Sequence, residues 1–196
     1  MSADLYLQAV QRFQALFARA QILDIPEPAA MTLATSNSDG RPSVRTVLLK
    51  TIDRRGFVFY TNLHSRKGQQ LHANPHAALG FFWQPLMQQV LVEGRVEPVS
   101  DTEADAYWAT RQRESQIGAW ASQQSDILAE RAELERRYAE FKQRFADQSV
   151  PRPPHWSGLR LVPDMIEFWS SRPGRLHERE RYFLVDGVWR HTLVYP

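Results

Sequence analysis

The sequence predicts a β-rich α+β fold, an antiparallel β core with helices packed at its margins. Three observations predict it. Short runs rich in Val, Thr, Leu, Phe and Tyr recur from Met31 to Val96 and again from Leu159, each bounded by Gly, Pro, Asn, Asp or Ser. Apolar residues recur at helical steps in only a few places: near the N-terminus, in a short stretch after Ser65, after Ser100 and before Phe145. Asp186-Gly187 separates two apolar stretches, which is a strong hairpin signal.

Leu5, Ala9, Phe13, Leu16, Phe17 and Ala20 recur at three- and four-residue steps, as one face of a helix requires, and Ile25-Pro26-Glu27-Pro28 ends that helix. Residues 31–35 read as a strand, 36–42 as a turn and 43–53 as a second strand. Asp53-Arg54-Arg55-Gly56 turns into a third strand at 57–61, completing an antiparallel meander. Ser65 is placed to cap a short helix through about His72. Residues 77–83 and 89–96 are further strands, the second closed by Pro98. Ser100-Asp101-Thr102-Glu103 has capping-box spacing and opens a helix toward Arg111. Ser125 opens the longest helix, to about Phe145, with Ile127, Leu134, Tyr138, Phe141 and Phe145 as its buried stripe. Pro151, Pro153 and Pro154 stop it. Strands at 159–162 and 165–170 and a hairpin around 185–188 complete the chain. There is no internal repeat, and the proline cluster is the one linker-like stretch. The reading is one domain over 1–196: N-terminal helix and connector (1–28), strands (30–98), helices (100–146) and C-terminal strands (156–196).

Composition narrows the function. None of the 196 residues is Cys, which removes disulfide scaffolds, thiolate metal sites and cysteine nucleophiles together. The 24 basic and 22 acidic side chains are interspersed, so no nucleic-acid-coating surface is expected. No apolar run approaches the roughly 18 residues of a membrane span, and the N-terminus lacks a signal-peptide pattern. The expectation is a cytoplasmic protein with neither membrane nor nucleic acid as partner, and with anionic small molecules as candidate ligands. The six His residues show no metal-ligand spacing: Pro75 breaks the one H-x-x-x-H pair, His72 with His76. GxGxxG, GxxxxGK and GxSxG are all absent. The six Trp residues are scattered, which suits packing better than base stacking.

Four groups of residues could carry chemistry. Ser65, Arg66 and Lys67 open a helix, where free N–H groups, a hydroxyl and two cations suit a phosphate; a solvated basic turn is the alternative. In an extended chain Arg175, His177 and Arg179 share one face, as an anion site or as a charged edge strand. Arg45 and Lys50 lie in an apolar strand. Five positions apart, they face opposite ways unless the strand is irregular. Tyr107, Arg111 and Ser115, spaced by fours, share a face of one continuous helix.

The strings Arg45-Thr46-Val47-Leu48-Leu49-Lys50, Val58-Phe59-Tyr60-Thr61-Asn62 with Ser65-Arg66-Lys67, Ser115-Gln116-Ile117-Gly118-Ala119-Trp120, Ile166-Glu167-Phe168-Trp169 and Arg175-Leu176-His177-Glu178-Arg179 occur in order between about Ala30 and Trp189. Together they resemble the pyridoxamine 5′-phosphate oxidase family. The resemblance implies an FMN-binding split β-barrel, antiparallel and Greek-key-like with flanking helices. It also implies a homodimer with FMN at the subunit interface that oxidises pyridoxine or pyridoxamine 5′-phosphate to pyridoxal 5′-phosphate. O2 would be the acceptor and H2O2 the by-product.

Carried over motif by motif, FMN would meet Arg45, Thr46, Val47, Leu48, Leu49, Lys50, Tyr60, Thr61, Arg66, Lys67, Gln89, Gln124, Ser125, Trp169 and Arg179. The substrate would meet Lys50, Tyr107, Arg111, Ser115, Arg175, Leu176 and His177. Arg175 and His177 would lie over the reacting ring, as the catalytic pair, and Arg179 or Arg45 would stabilise charge on the reduced flavin. No metal is implied. Two departures from the family stand out: its lid-forming N-terminal stretch with an Arg and a Tyr has no counterpart here, and the chain ends His191-Thr192-Leu193-Val194-Tyr195-Pro196 where the family tends to end Arg-Leu-x-Pro. The alternatives are a split-barrel oxidase of another ring system, of the phenazine-precursor type, and a non-catalytic FMN or pyridoxal-phosphate carrier.

Overall fold

A computed structural model describes residues 2–196. Helix α1 (Ser2–Gln21) buries the expected face, with Ala9, Phe13, Leu16 and Ala20 against the sheet. The Phe13 ring meets the edges or faces of Phe57 and Phe81, each at 4.9 Å, and so plugs the barrel core.

Strand β1 (Ala30–Ser36) follows. The stretch expected as one strand from Ser43 to Asp53 is two, β2 (Pro42–Leu48) and β3 (Thr51–Asp53). The reason is a change of partner. Leu49 N–H donates to Ala29 O and Lys50 N–H to Val58 O, both at 2.9 Å, so the chain leaves β1 and takes up β4 (Gly56–Asn62) at this point. Next come α2 (Arg66–Ala73), β5 (His76–Trp83) and β6 (Gln88–Pro98). Helices α3 (Asp101–Ala109), α4 (Arg113–Ala121) and α5 (Arg131–Arg144) lead to β7 (Trp156–Ser170), β8 (Glu178–Val185) and β9 (Val188–Leu193).

The strand order is β2-β1-β5-β6-β7-β4-β3, all antiparallel, with β8 and β9 continuing beside the upper half of β7. The path begins on β2 and ends on β3, which are joined through Leu49 and Lys50. The sheet therefore curls until its two ends meet on one segment, giving the split barrel.

Several expectations are corrected. The strands expected at 159–162 and 165–170 are one, β7, whose register against β6 slips between Glu93 and Gly94. Pro163, without an N–H, is accommodated at that bulge. A Cβ on Gly94 would lie 2.1 Å from Val162 O, so only glycine permits the approach. The helix opened by Ser100 stops at Ala109, and a separate α4 that the sequence reading missed follows a corner at Thr110–Gln112. The helix expected from Ser125 begins only at Arg131, leaving Ile127 wholly exposed, and α1 is the longest helix. Ser125 has φ 81°, in the left-handed region rather than the extended one that helix N-caps favour.

Local signals were accurate. Ser65 caps α2, Ser100 and Glu103 form the reciprocal capping box, and Asp186 and Gly187 have φ of 52° and 74°, the paired positive values of a tight hairpin. Among the described residues no helix is long and apolar enough to cross a membrane.

Candidate functional site

A cleft of about 970 Å³ opens between β2, the end of β4, the start of α2 and the α3–α4 corner. Arg45, Thr46, Val47, Leu48, Lys50, Tyr60, Thr61, Arg66, Lys67, Gln124 and Ser125 line it, together with Tyr107, Arg111 and Ser115. Arg45 and Lys50 share the cleft because the partner change at Leu49 breaks the strand's alternation. Leu49 itself turns into the barrel core, buried with Phe57 and Phe59.

The start of α2 is built for close approach. Ser65 Oγ donates to Asn62 O at 2.6 Å and accepts from Gly68 N–H at 3.4 Å, fixing the turn. A Cβ on Gly68 would stand 2.1 Å from Leu63 O, so glycine is required for this tight entry. The backbone N–H of Arg66 donates to Ser125 Oγ at 3.1 Å. Ser125 thus serves α2 instead of capping a helix of its own.

The electrostatics are unusual. Lys67 is buried and donates to Gln124 Oε1 at 2.9 Å, Thr61 Oγ1 at 3.1 Å and Ser65 Oγ at 3.3 Å. Burial, with a smaller push from Arg45, lowers its pKa to about 8. Arg45 donates to Thr35 Oγ1, Ser43 Oγ, Leu33 O and Gln70 Oε1, and its pKa is likewise lowered by burial and by Arg66. Every one of these acceptors is neutral. Several other partly buried guanidiniums meet carboxylates: Arg160 pairs with Asp53 and Glu103, Arg12 with Glu180, and Arg179 with Glu167. Desolvated cations without counter-charge are costly, and an anionic ligand removes the cost.

On the opposite wall the rings of Tyr60, Tyr107 and Trp156 stack. Tyr60 lies 4.0 Å from Tyr107 and 5.2 Å from Trp156, with planes 14° and 12° from parallel. The Arg111 guanidinium sits over Trp156 at 4.8 Å and Trp108 at 5.5 Å. Its Nη2 donates to Ser115 O at 3.1 Å, while its buried Nε has no partner. The expected single helical face is replaced by a corner at Thr110–Gln112, and the corner still brings Tyr107, Arg111 and Ser115 to one wall. Ser43, Asn62, Gln112, Ser122 and Trp156 also line the cleft and were missed. Ser43 was findable, two residues from Arg45 on the same strand face; Trp156 carried no signal distinct from packing.

Gln89, Trp169, Arg175, Leu176, His177 and Arg179 are not in this cleft; they form a second cluster at the β7–β8 end of the sheet. Gln89 pairs with Trp169 across β6 and β7, and Trp169 lies 4.7 Å from the His177 ring. The expected alternation of Arg175, His177 and Arg179 does not occur. Pro173–Arg175 is a short 3-10 turn in which Gly174 and Arg175 have φ of 67° and 60°, and β8 begins only at Glu178. Arg175 and Leu176 are exposed. His177 Nδ1 accepts from Arg172 N–H at 3.1 Å, which puts the proton of a neutral imidazole on Nε2. Arg179 donates to Glu167 Oε1 at 2.8 Å and to Tyr195 O at 3.0 Å, and Arg181 holds the other oxygen of that buried carboxylate.

Comparison with known proteins adds the following. Residues 18–145 match the family described as pyridoxamine 5′-phosphate oxidase, and residues 156–196 that described as the pyridoxine 5′-phosphate oxidase C-terminal dimerisation region. A pyridoxine/pyridoxamine 5′-phosphate oxidase of Myxococcus xanthus (strain DK1622) is 59% identical over 187 residues, 95% of this chain and 91% of that one. One from Alkalilimnicola ehrlichii is 57% identical over 191 residues, 96% of this chain and 97% of the relative. Among solved structures, PhzG from Burkholderia lata 383 in complex with tetrahydrophenazine-1-carboxylic acid is similar with a TM-score of 0.91 and 35% identity, covering 95% of this chain and 92% of that one. A pyridoxamine 5′-phosphate oxidase-related, FMN binding protein from Nostoc punctiforme shares the fold, with a TM-score of 0.75 at 17% identity over 95% and 96% of the two chains.

Proposed function

The chain belongs to the pyridoxamine 5′-phosphate oxidase family, and on that premise we propose that it oxidises pyridoxine or pyridoxamine 5′-phosphate to pyridoxal 5′-phosphate with FMN as cofactor. The observation that carries this reading is the pair of desolvated cations, Arg45 and Lys67, held by neutral acceptors alone. Two phosphorylated ligands bring roughly three to four negative charges into one cleft and supply the missing counter-charge. FMN, when bound, would supply a two-electron acceptor that O2 can reoxidise, two electrons and two protons giving H2O2.

The chain's residues do the rest. Ser65, Arg66 and Lys67 at the start of α2 suit the cofactor phosphate. Arg111, with an unpaired buried N–H, suits the substrate phosphate, helped by Tyr107, Ser115 and Lys50. Of the two candidates for stabilising charge on reduced flavin, Arg179 already pairs with a carboxylate, Glu167, which it shares with Arg181, whereas Arg45 meets only neutral acceptors, which favours Arg45. His177, its Nδ1 occupied, offers Nε2–H as a donor, so it positions a substrate oxygen rather than removing a proton.

The second cluster completes the site from a second copy of the chain. The chain exposes 11783 Å², against about 9,500 Å² for a monomer of 22.7 kDa by the surface scaling law. That excess, with a dimerisation region at 156–196, suits a protomer that buries surface against its twin. Two experiments test the proposal. Purified protein should take up FMN, and anaerobic pyridoxine 5′-phosphate should then bleach the flavin absorbance; bound flavin that stays oxidised sinks the activity. Mixing inactive Lys67→Met and Arg175→Ala proteins should restore about a quarter of the wild-type rate through mixed dimers. No recovery in confirmed mixed dimers would mean that the two clusters do not meet across subunits.

A second reading has its own support, the likeness to PhzG. A ring carboxylate brings one negative charge to Arg111 and Lys50 where a phosphate ester brings nearly two, so the phosphate ester is favoured.

A further inference from the structure

We propose that Gln70, on the second turn of α2, is a positioning residue that fixes the Arg45 guanidinium in the cleft. The inference deepens the reading of this cleft as the FMN site and rests on it.

Gln70 is buried and does not line the cleft. Its Oε1 accepts from Thr35 Oγ1 at 2.6 Å, Ser43 Oγ at 2.8 Å and Arg45 Nη2 at 3.2 Å. The two hydroxyls in turn accept from Arg45, Thr35 Oγ1 from Nη1 at 2.5 Å and Ser43 Oγ from Nη2 at 2.7 Å. Both arms of the guanidinium therefore run, through one hydroxyl each, to a single carbonyl oxygen. A guanidinium cannot accept, so the amide must turn its oxygen to this cluster.

This arrangement decides which way the hydroxyls point. Each spends its one proton on Gln70 and so turns a lone pair toward Arg45. Without Gln70 the hydroxyls are free to rotate, and each can then present its proton to the cation. Arg45 would retain Leu33 O but lose the two-sided grip that sets the plane of its fork. The members come from β1, β2 and α2, and α2 also carries Arg66 and Lys67. Gln70 thus ties the orientation of Arg45 to the same helix whose first turn holds the phosphate-binding groups.

The test uses the full-length protein, and Gln70→Leu, Gln70→Glu and Thr35→Val. Thr35→Val cuts one arm at a buried residue outside the cleft, and serves should Gln70→Leu not fold. Two readouts are taken: the FMN dissociation constant of the apoprotein, and hydrogen exchange at the Arg45 Nη2–H groups, which donate to Ser43 Oγ and Gln70 Oε1, in the ¹⁵N-labelled apoprotein. Gln70→Leu should weaken FMN about tenfold and abolish exchange protection. Thr35→Val should weaken FMN about threefold. Gln70→Glu keeps an acceptor oxygen and should restore exchange protection to within about threefold of wild type, while its carboxylate gives Arg45 a counter-charge and should leave FMN binding weak. If Gln70→Leu only lowers the apoprotein melting temperature, with FMN affinity and Arg45 protection unchanged, Gln70 is a packing residue and the inference is wrong. The same holds if Thr35→Val moves neither readout. Should the wild-type protein bind no FMN, the reading of the cleft fails, and Arg45 exchange alone then decides the role of Gln70.

Discussion

Tyr60 and Tyr107 lie face to face at 4.0 Å, joining the last turn of α3 to the β4 segment whose next residue, Thr61, accepts from Lys67. Tyr60 stands on the proposed cofactor side and Tyr107 on the substrate side, so the stack couples the two halves of the cleft. Tyr107→Phe keeps the stack and should raise the substrate KM while leaving the FMN dissociation constant within about twofold. Tyr107→Ala should also weaken FMN by about three- to tenfold, the worth of an aromatic pair. Equal FMN affinity in the two variants would remove the coupling.

The depressed pKa of Lys67 gives FMN binding a pH dependence. Below about pH 8 the ammonium is already charged and affinity is flat. Above it, binding an anion must take up a proton, and the dissociation constant should rise by up to about tenfold per pH unit. The free protein responds in the opposite sense. Between about pH 8 and 10.5 the unfolded chain keeps a proton that the folded one has lost, so this group makes folding more favourable as pH rises. Fluorescence titration of FMN from pH 7 to about 10 checks the first, and Lys67→Met should abolish the slope.

Arg160, almost wholly buried, bridges Asp53 Oδ1 at 2.8 Å and Glu103 Oε1 at 2.9 Å and so locks α3 against the barrel. Arg160→Met leaves Asp53 and Glu103 with the exposed Arg55 as their shared cation and should cost about 1–3 kcal/mol of stability by urea denaturation of the apoprotein. Burial pushes Asp53 up, but hydrogen bonds from Arg55 and the charges of Arg160 and Arg55 outweigh it, and its pKa lies below the ordinary value. That part of the stability is present above the usual carboxylate range and is lost as pH falls below it.

In the second cluster, Arg175→Ala should reduce turnover by at least about a hundredfold with FMN still bound, because Arg175 lies apart from the cleft proposed to hold FMN. His177→Gln, which can still donate a hydrogen bond, should retain more activity than His177→Ala. If the two His177 variants are equally inactive, the donor role is not what matters there.

Features set by a few neighbouring residues were readable in the chain. Ser65 and Ser100 as caps and the Asp186-Gly187 turn each depend on three or four positions, and each is found as expected. Ser125 misled because its hydroxyl has a distant use, accepting from Arg66 N–H, and a cap cannot serve two helices. The α3–α4 corner was hidden because Tyr107, Arg111 and Ser115 keep a spacing that one straight helix would also produce. The one strand β7 read as two, 159–162 and 165–170, because the glycine that lets it pass Pro163 and Asp164 unbroken, Gly94, stands in the partner strand.

The site was legible as chemistry but not as geometry. The cationic strings are visible in sequence; that Arg45 and Lys67 lack acidic partners requires knowing what surrounds them in space. Whether Arg175 and His177 belong with them depends on how copies assemble, a property of surfaces that no local pattern encodes.

The seam at Leu49 and Lys50 bears on how this molecule can change over generations. Extra residues in the turns at Gly40 or Gly187 would only lengthen a surface excursion. One extra residue between Arg45 and Thr51 would rotate every following side chain to the wrong side and prise the ring open where its ends join. Mutational drift should therefore produce length variants almost anywhere on the periphery before it produces one here.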